Sequence, residues 1–259
     1  DPDPPGLLPV YKTYRALVRA KVNALLSEET EVPGAAREAG ARRARRYFRL
    51  AGRIARWRGG PALIVMGGLT GTGKTRIARD IARRYGAEWV ATDVLRKLIA
   101  GRDPFEPAGA GPGKGLYRPA HRRATMRAVM REASALLRAG RPVVLDGSFQ
   151  SAGDRAAARR LAARLGVRVH FFWCEAPEAI IRGRFNLRRK RPAISDGTWP
   201  VFLSQRRTYD PPVELNSEVL TRLDTSRSLR VLQRRVDGVL APLAVCPGRR
   251  PVSAQKLHP

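Results

Sequence analysis

Met66-Gly67-Gly68-Leu69-Thr70-Gly71-Thr72-Gly73-Lys74-Thr75 satisfies the spacing G-x-x-x-x-G-K-[ST] from Gly68 onward. The apolar run Ala62 to Met66 precedes it, and Arg76-Ile77-Ala78-Arg79-Asp80-Ile81-Ala82 follows with the pattern of a helix start. A phosphate-binding loop needs that strand–loop–helix setting. Glycines 68, 71 and 73 let the backbone curl around an anion without Cβ clashes. The loop N–H groups and the positive end of the next helix then face phosphate oxygens. The expected nucleotide contacts are Gly68, Leu69, Thr70, Gly71, Thr72, Gly73, Lys74, Thr75 and Arg76. Lys74 would reach the β- and γ-phosphates, and the Thr75 hydroxyl would ligate Mg²⁺. The stretch predicts a binding site for a nucleoside triphosphate.

Outward from this loop, strand-like and helix-like segments alternate. Glu88 to Ala91 reads as a second strand running into Thr92-Asp93, with a short helix from Val94 to Ala100. A glycine- and proline-rich stretch over 101–116 predicts a mobile loop, and Tyr117 to Ala139 a long helix. Val143-Val144-Leu145 is a buried third strand ending in Asp146-Gly147, followed by a helix from Ser151 to Leu165. Val167 to Cys174 and Val219 to Leu223 supply two more strands, the last alternating enough to lie at a sheet edge. Helices are expected after Pro177, from Pro200 to Thr208, and from Ser228 to Leu240. The pattern predicts an α/β fold with a parallel sheet covered on both faces. Ligands in such sheets bind beyond the carboxyl ends of the strands, where the loop, Asp93 and Asp146 should converge.

Upstream, residues 1–10 are proline-rich and read as extended or disordered. Tyr11 to Leu26 carries Tyr14, Leu17, Val18, Val22 and Leu25 at helical spacing. A second helix from Ala36 to Trp57 has Tyr47, Leu50, Ile54 and Trp57 on one stripe, and Arg42, Arg45, Arg46, Arg49, Arg53 and Arg56 on an adjacent flank. That flank is either a solvated face or a docking face for a polyanion. Gly59-Gly60-Pro61 suggests a boundary between a basic helical hairpin (1–60) and a second domain (61–241), with a loosely ordered tail over 242–259.

Three further elements could carry chemistry. Asp146 ends a run of hydrophobics, so its carboxylate could hold Mg²⁺ opposite Thr75. No Glu follows it, which argues against a motor-type ATPase. Asp93 could accept the proton of an attacking substrate hydroxyl, or serve only to cap the helix that starts beside it; Arg96 could bind an acidic group of the substrate. Arg182, Arg184, Arg188, Arg189, Lys190 and Arg191 crowd a helix end and loop over 182–199. An arginine-loaded lid of this kind can stabilise charge on a phosphoryl group in transfer while excluding water.

With 43% hydrophobic residues the chain can bury a sizeable core, and its formal charge of +28 favours polyanionic partners, nucleic acid or phosphorylated small molecules. Cys174 and Cys246 have no metal-like spacing, which fits a reducing, cytoplasmic setting. No apolar stretch reaches the length of a membrane span.

The segments GGLTGTGKTRIA, TDVLRK, VVLDGSF, CEAPEAIIRGR and QRRTYDPPVE resemble P-loop kinases related to zeta toxins and polynucleotide kinases. Within that set the chain resembles the ATP-binding half of two-part bacterial proteins whose other half is similar to an aminoglycoside phosphotransferase. YKTYRALVRAKV, from Tyr11 to Val22, looks like the last helix of such a preceding half. The resemblance covers about residues 61–240. It implies a five-stranded sheet in the order 2-3-1-4-5, ATP and Mg²⁺ as cofactors, Asp93 as base, and a lid bearing Arg184 and Arg188. It also implies that Leu223-Asp224-Thr225-Ser226 lies near the nucleotide base. The expected activity is transfer of the γ-phosphate to a hydroxyl of a nucleic-acid end or a small metabolite, the charge tilting toward nucleic acid. The alternative is a nucleotide-dependent binding module whose slow ATPase acts as a switch.

Overall fold

The computed structural model describes residues 4–57, 59–103, 118–188 and 197–244. Strand β1 (Ala62–Gly67) is buried at all six positions. A strand with no polar alternation must be covered on both faces, which places it inside a parallel sheet. It lies between β3 (Val143–Asp146) and β4 (Arg168–Glu175), with β2 (Glu88–Ala91) beyond β3 and β5 (Leu220–Asp224) beyond β4. The order is 2-3-1-4-5 and every pairing is parallel. In β5 burial alternates, as expected of an edge strand.

Parallel neighbours need crossover connections, and helices supply them. They are α3 (Lys74–Tyr85), α4 (Thr92–Ile99), α5 (Pro119–Arg138), α6 (Ala152–Arg164), α7 (Glu178–Arg188), α8 (Trp199–Arg207) and α9 (Leu229–Ala244). Leu63, Val65, Leu145, Phe171 and Trp173 from the sheet pack with Val129 and Leu137 of α5 and Leu161 of α6. Burying each such side chain stabilises the fold by about 1.5–3 kcal/mol. The register matters most for function. Met66 of β1 and Ala91 of β2 both pair with Asp146 of β3, so three strands end level with one another.

Fully buried Arg155 of α6 fixes the chain around that edge. Its guanidinium bonds the Glu214 carboxylate at 2.5 and 3.0 Å and the carbonyls of Phe149, Asp210 and Pro211 at 2.9–3.2 Å. The neighbouring guanidinium holds the Glu214 carboxyl below the usual range. Burying a charge this completely requires such saturation of its donors.

Residues 61–238 form one compact unit, and the helices before them, with the end of α9, belong to a second. In the second unit α1 (Pro4–Glu28) and α2 (Gly34–Arg56) form a hairpin. Its buried positions are small: Ala16, Ala20, Ala44 and Ala51. A Cβ on Gly40 would stand 3.1 Å from the Asn23 carbonyl oxygen, so the helices approach closely there. The larger stripe of Tyr11, Tyr14, Leu17, Val18, Val22 and Leu25 stays exposed.

Two expectations are corrected. The proline-rich start is not extended over residues 4–10, because α1 already begins at Pro4. The first helical turn has no intrahelical acceptors for its N–H groups, so Pro4 and Pro5 forfeit nothing there. At the other end α9 continues through Pro242 to Ala244 rather than stopping at Leu240. The stretch 104–117, most of the arginine-rich loop (189–196) and the tail from 245 lie outside the described residues.

Candidate active site

The phosphate loop joins the buried end of β1 to α3. Gly68 takes φ +125°, and a Cβ there would sit 2.3 Å from the Cys174 carbonyl oxygen, so only glycine fits. Gly73 occupies the left-handed N-cap position at φ 87° and turns the chain into α3. Cross-links then hold the loop. The Thr70 N–H donates to Gln205 Oε1 of α8 at 2.8 Å, and Thr225 Oγ1 donates to the Thr72 carbonyl at 2.6 Å. Within the loop, Thr72 Oγ1 and Lys74 Nζ both donate to the Leu69 carbonyl at 2.7 Å. The side chain of Leu69 faces away from the loop centre, packing on Ile181, Phe185 and Phe202.

A cavity of about 250 Å³ opens above the level strand ends. Lys74, Thr75 and Arg76 line it from the first turn of α3, Asp93 and Arg96 from α4, and Asp146 from β3. The residues that the sequence placed at separate strand ends therefore share one cleft, and Gly71 and Gly73 line it too. Asp146 is buried, and burial pushes its carboxyl above the ordinary range. Three neighbours oppose that shift: the Lys74 ammonium, the Thr75 hydroxyl hydrogen-bonded to it, and Trp89 Nε1, which donates at 3.2 Å. Nearby Asp93 adds to the upward push. A carboxylate in this state, beside a hydroxyl, is suited to a divalent cation whose charge would restore its ionised form. Among the described residues no group of three or more His, Cys, Asp or Glu could hold a metal. A Mg²⁺ bound mainly through phosphates and waters needs no such group.

Asp93 lies in the first turn of α4, whose N-cap is Ala91, so it is not the cap residue. Its carboxylate accepts from Arg96 Nη1 at 2.6 Å, with the two side chains 27% and 15% exposed. Arg184 of α7 does not line the cavity. Its guanidinium lies against the loop, donating to the Gly71 carbonyl at 3.2 Å, Thr225 Oγ1 at 3.1 Å and the Thr225 carbonyl at 2.6 Å. Thr225 thus bridges the loop and α7, whereas Asp224 turns back onto Ser226 and Arg227. Arg188 ends α7, and its side chain lies outside the described residues.

Four participants escaped the sequence reading. Trp89 supports Asp146, and Gln205 tethers the loop. Arg122 of α5 lines the cavity and pairs with Asp154 at 2.5 Å. Gln150 lines it as well, its amide oxygen buried with no hydrogen-bond partner among the described residues. Only Gln205 and Gln150 had a sequence signal, lying within or beside the segments QRRTYDPPVE and VVLDGSF.

Comparison with known proteins agrees with this architecture. The AAA_33 family, described as an AAA domain, matches residues 63–212. Uncharacterized proteins of Mycobacterium tuberculosis and Mycobacterium bovis are 34% identical over 187 residues, 71% of this chain and 36% of theirs. The chain thus spans about a third of the length of these curated relatives. Among solved structures, a sugar kinase from Janibacter sp. HTCC2649 superposes with a TM-score of 0.54 at 21% identity, covering 71% of this chain and 98% of that one. A gluconokinase from Sinorhizobium meliloti 1021 gives 0.51 at 22%, covering 71% and 94%. The Mycobacterium tuberculosis APS kinase, in complex with AMPPNP and APS, gives 0.52 at 22%, covering 70% and 98%. At these identities the structures share a fold with this chain.

Proposed function

We propose that this chain, which belongs to the AAA_33 family, is an ATP-dependent kinase that transfers the γ-phosphate to a hydroxyl of a small molecule. The observation carrying this reading is the convergence of Lys74, Thr75, Asp93 and Asp146 on one cleft at the ends of three level strands. The kinases among the similar structures support it, all three named for small-molecule substrates.

In this mechanism the loop N–H groups and the Lys74 ammonium bind the triphosphate, the ammonium exchanging its bond to the Leu69 carbonyl for phosphate oxygens. Thr75 and Asp146 would hold Mg²⁺, which when bound offsets charge on the β- and γ-phosphates. The Asp93 carboxylate takes the proton of the acceptor hydroxyl. The hydroxyl oxygen bonds to the γ-phosphorus as the β,γ-bridging P–O bond breaks, releasing ADP and the phosphorylated acceptor. Arg184 braces the loop through the Gly71 carbonyl and would have to exchange that bond for a phosphate oxygen to stabilise charge on the moving group, with Arg188 one turn further along α7. Arg96 orients Asp93 through their ion pair.

The test is turnover of γ-labelled ATP into acceptor by wild type and Lys74→Ala, with melting curves confirming that both are folded. Losing one preorganised charge stabiliser should lower turnover at least about 10²-fold. Turnover within threefold of wild type removes the loop from the mechanism. ATP hydrolysis that is independent of Asp93 and labels no acceptor would instead favour a nucleotide-driven switch.

A further inference from the structure

The acceptor end of the cavity differs from the chain as a whole in its electrostatics. The chain carries +28, yet of the arginines lining the cavity among the described residues (Arg76, Arg96 and Arg122), Arg96 and Arg122 are each matched by a carboxylate within the wall. Asp93 accepts from Arg96 at 2.6 Å, and Asp154 accepts from Arg122 at 2.5 Å. Arg122 Nη2 is shared further with Ser151 Oγ at 3.3 Å. Asp154 is 16% and Arg122 41% exposed, so water screens their pairing only in part. An anionic acceptor entering here would meet compensated arginines and two carboxylates, and it would have to break an ion pair to gain a cation.

The wall instead leaves acceptor atoms on offer. The Gln150 amide oxygen is buried at the cavity edge with no partner among the described residues. A buried amide oxygen left unbonded is costly unless a ligand supplies a donor. Its position is enforced, because Phe149 beside it is held at φ 43° while its carbonyl is bonded by buried Arg155. Asp93 and Asp154 add carboxylate oxygens around the same space. Thr125 does not contribute a donor, since its hydroxyl is spent on the His121 carbonyl at 2.8 Å.

We infer that the acceptor is a neutral polyhydroxylated molecule, a monosaccharide or polyol. Its hydroxyls donate to Gln150 and Asp154 while another is presented to Asp93. This inference rests on the kinase reading above. A sugar phosphate, an aldonate or a nucleic-acid end carries charge where the wall is already compensated.

The experiment offers the enzyme Mg-ATP with neutral hexoses, pentoses, hexitols and cyclitols. The anionic arms are the 6-phosphates and aldonates of the same skeletons and an oligonucleotide with a 5′-hydroxyl. Labelled phosphate should enter a neutral polyol with kcat/KM at least about tenfold above every anionic arm. Gln150→Leu should raise KM for that polyol about tenfold, the scale of one lost hydrogen bond, with KM for ATP unchanged. Asp154→Asn frees the Arg122 charge and should narrow the preference against the 6-phosphate. Equal or better labelling of an anionic arm overturns the polyol inference and leaves the kinase reading standing, as does a Gln150→Leu variant with unchanged acceptor KM. If ATP binds and no arm is labelled, the kinase reading falls and the inference with it.

Discussion

Asp93→Asn separates chemistry from structure at the base of α4. The substitution keeps the side chain's shape and removes its charge. Two structural interactions weaken. One is the pair with Arg96, whose side chains are 15% and 27% exposed, worth about 0.5–1 kcal/mol for a partly exposed pair. The other is the favourable placement of an anion in the first turn of a helix, worth about 0.5 kcal/mol. Because Ala91 and not Asp93 is the N-cap, no capping bond is lost in addition. The fold should therefore lose about 1–1.5 kcal/mol, a drop of roughly 2–6 °C in melting temperature for a unit of this size. Removing a general base costs about 10²–10⁴ in rate, equivalent to about 2.7–5.5 kcal/mol of barrier. The kinetic effect thus exceeds the structural one by roughly two- to five-fold in free energy. The assay is single-turnover phosphate transfer with saturating Mg-ATP, beside nucleotide affinity by calorimetry and a thermal melt. Affinity for ATP should change less than threefold. A melting loss of many degrees with normal turnover per folded molecule would refute the assignment of Asp93 as base.

Two further outcomes follow from buried titratable groups. Burial raises the Asp146 carboxyl, so the stability it contributes is complete below its ordinary range and is lost as pH rises through the raised value. Asp146→Asn should accordingly melt higher than wild type at neutral pH without ligand, converge with it in acid, and gain less from added Mg-ATP; a lower neutral melting point would contradict the burial argument. His170, buried against Thr221 Oγ1 at 2.9 Å, has its pKa lowered to about 4 by burial, against about 6.5 when unfolded. Its contribution is present above pH 6.5 and is lost as pH falls toward 4, a decline of about 3 kcal/mol at 1.36 kcal/mol per unit. Urea unfolding of His170→Gln across that window should show a flatter pH profile than wild type, and identical profiles would return the acid sensitivity to other groups.

The parts of this fold that were legible in the sequence are those where a local pattern and a tertiary demand coincide. Ala62 to Met66 reads as a buried strand because every residue is apolar, and the sheet covers every one. Val143 to Asp146 carries the same signal, and its terminal carboxylate lies beside the phosphate loop because β1 and β3 run parallel in register. The helical hairpin shows where the pattern misleads. Periodicity marked Tyr14, Leu17, Val18, Val22 and Leu25 as the apolar stripe of α1, but the helix packs through Ala16 and Ala20. Residue size settles that choice, since alanines allow two backbones to approach more closely than a row of large side chains does. Hydropathy patterns do not encode that distance.

Long-range polar pairing was illegible for a different reason. Gln205 meets Thr70 across 135 positions, and Arg122 meets Asp154 across 32. Each residue alone has the composition of a solvated helix surface, and only the crossover geometry turns it inward. The same distinction bears on the acceptor. A charge of +28 summed over the sequence suggests a polyanion, whereas a bound molecule experiences the groups within a few ångströms, where screening is weakest. Among the described residues lining the cleft, Arg96 and Arg122 are each paired with an aspartate, and the Gln150 amide oxygen has no hydrogen-bond partner. An arginine supplies positive charge to a ligand only to the extent that its carboxylate partner leaves some uncompensated. On the proposal above, pairing of cations inside the cleft weighs more in the choice of acceptor than the net charge of the chain does.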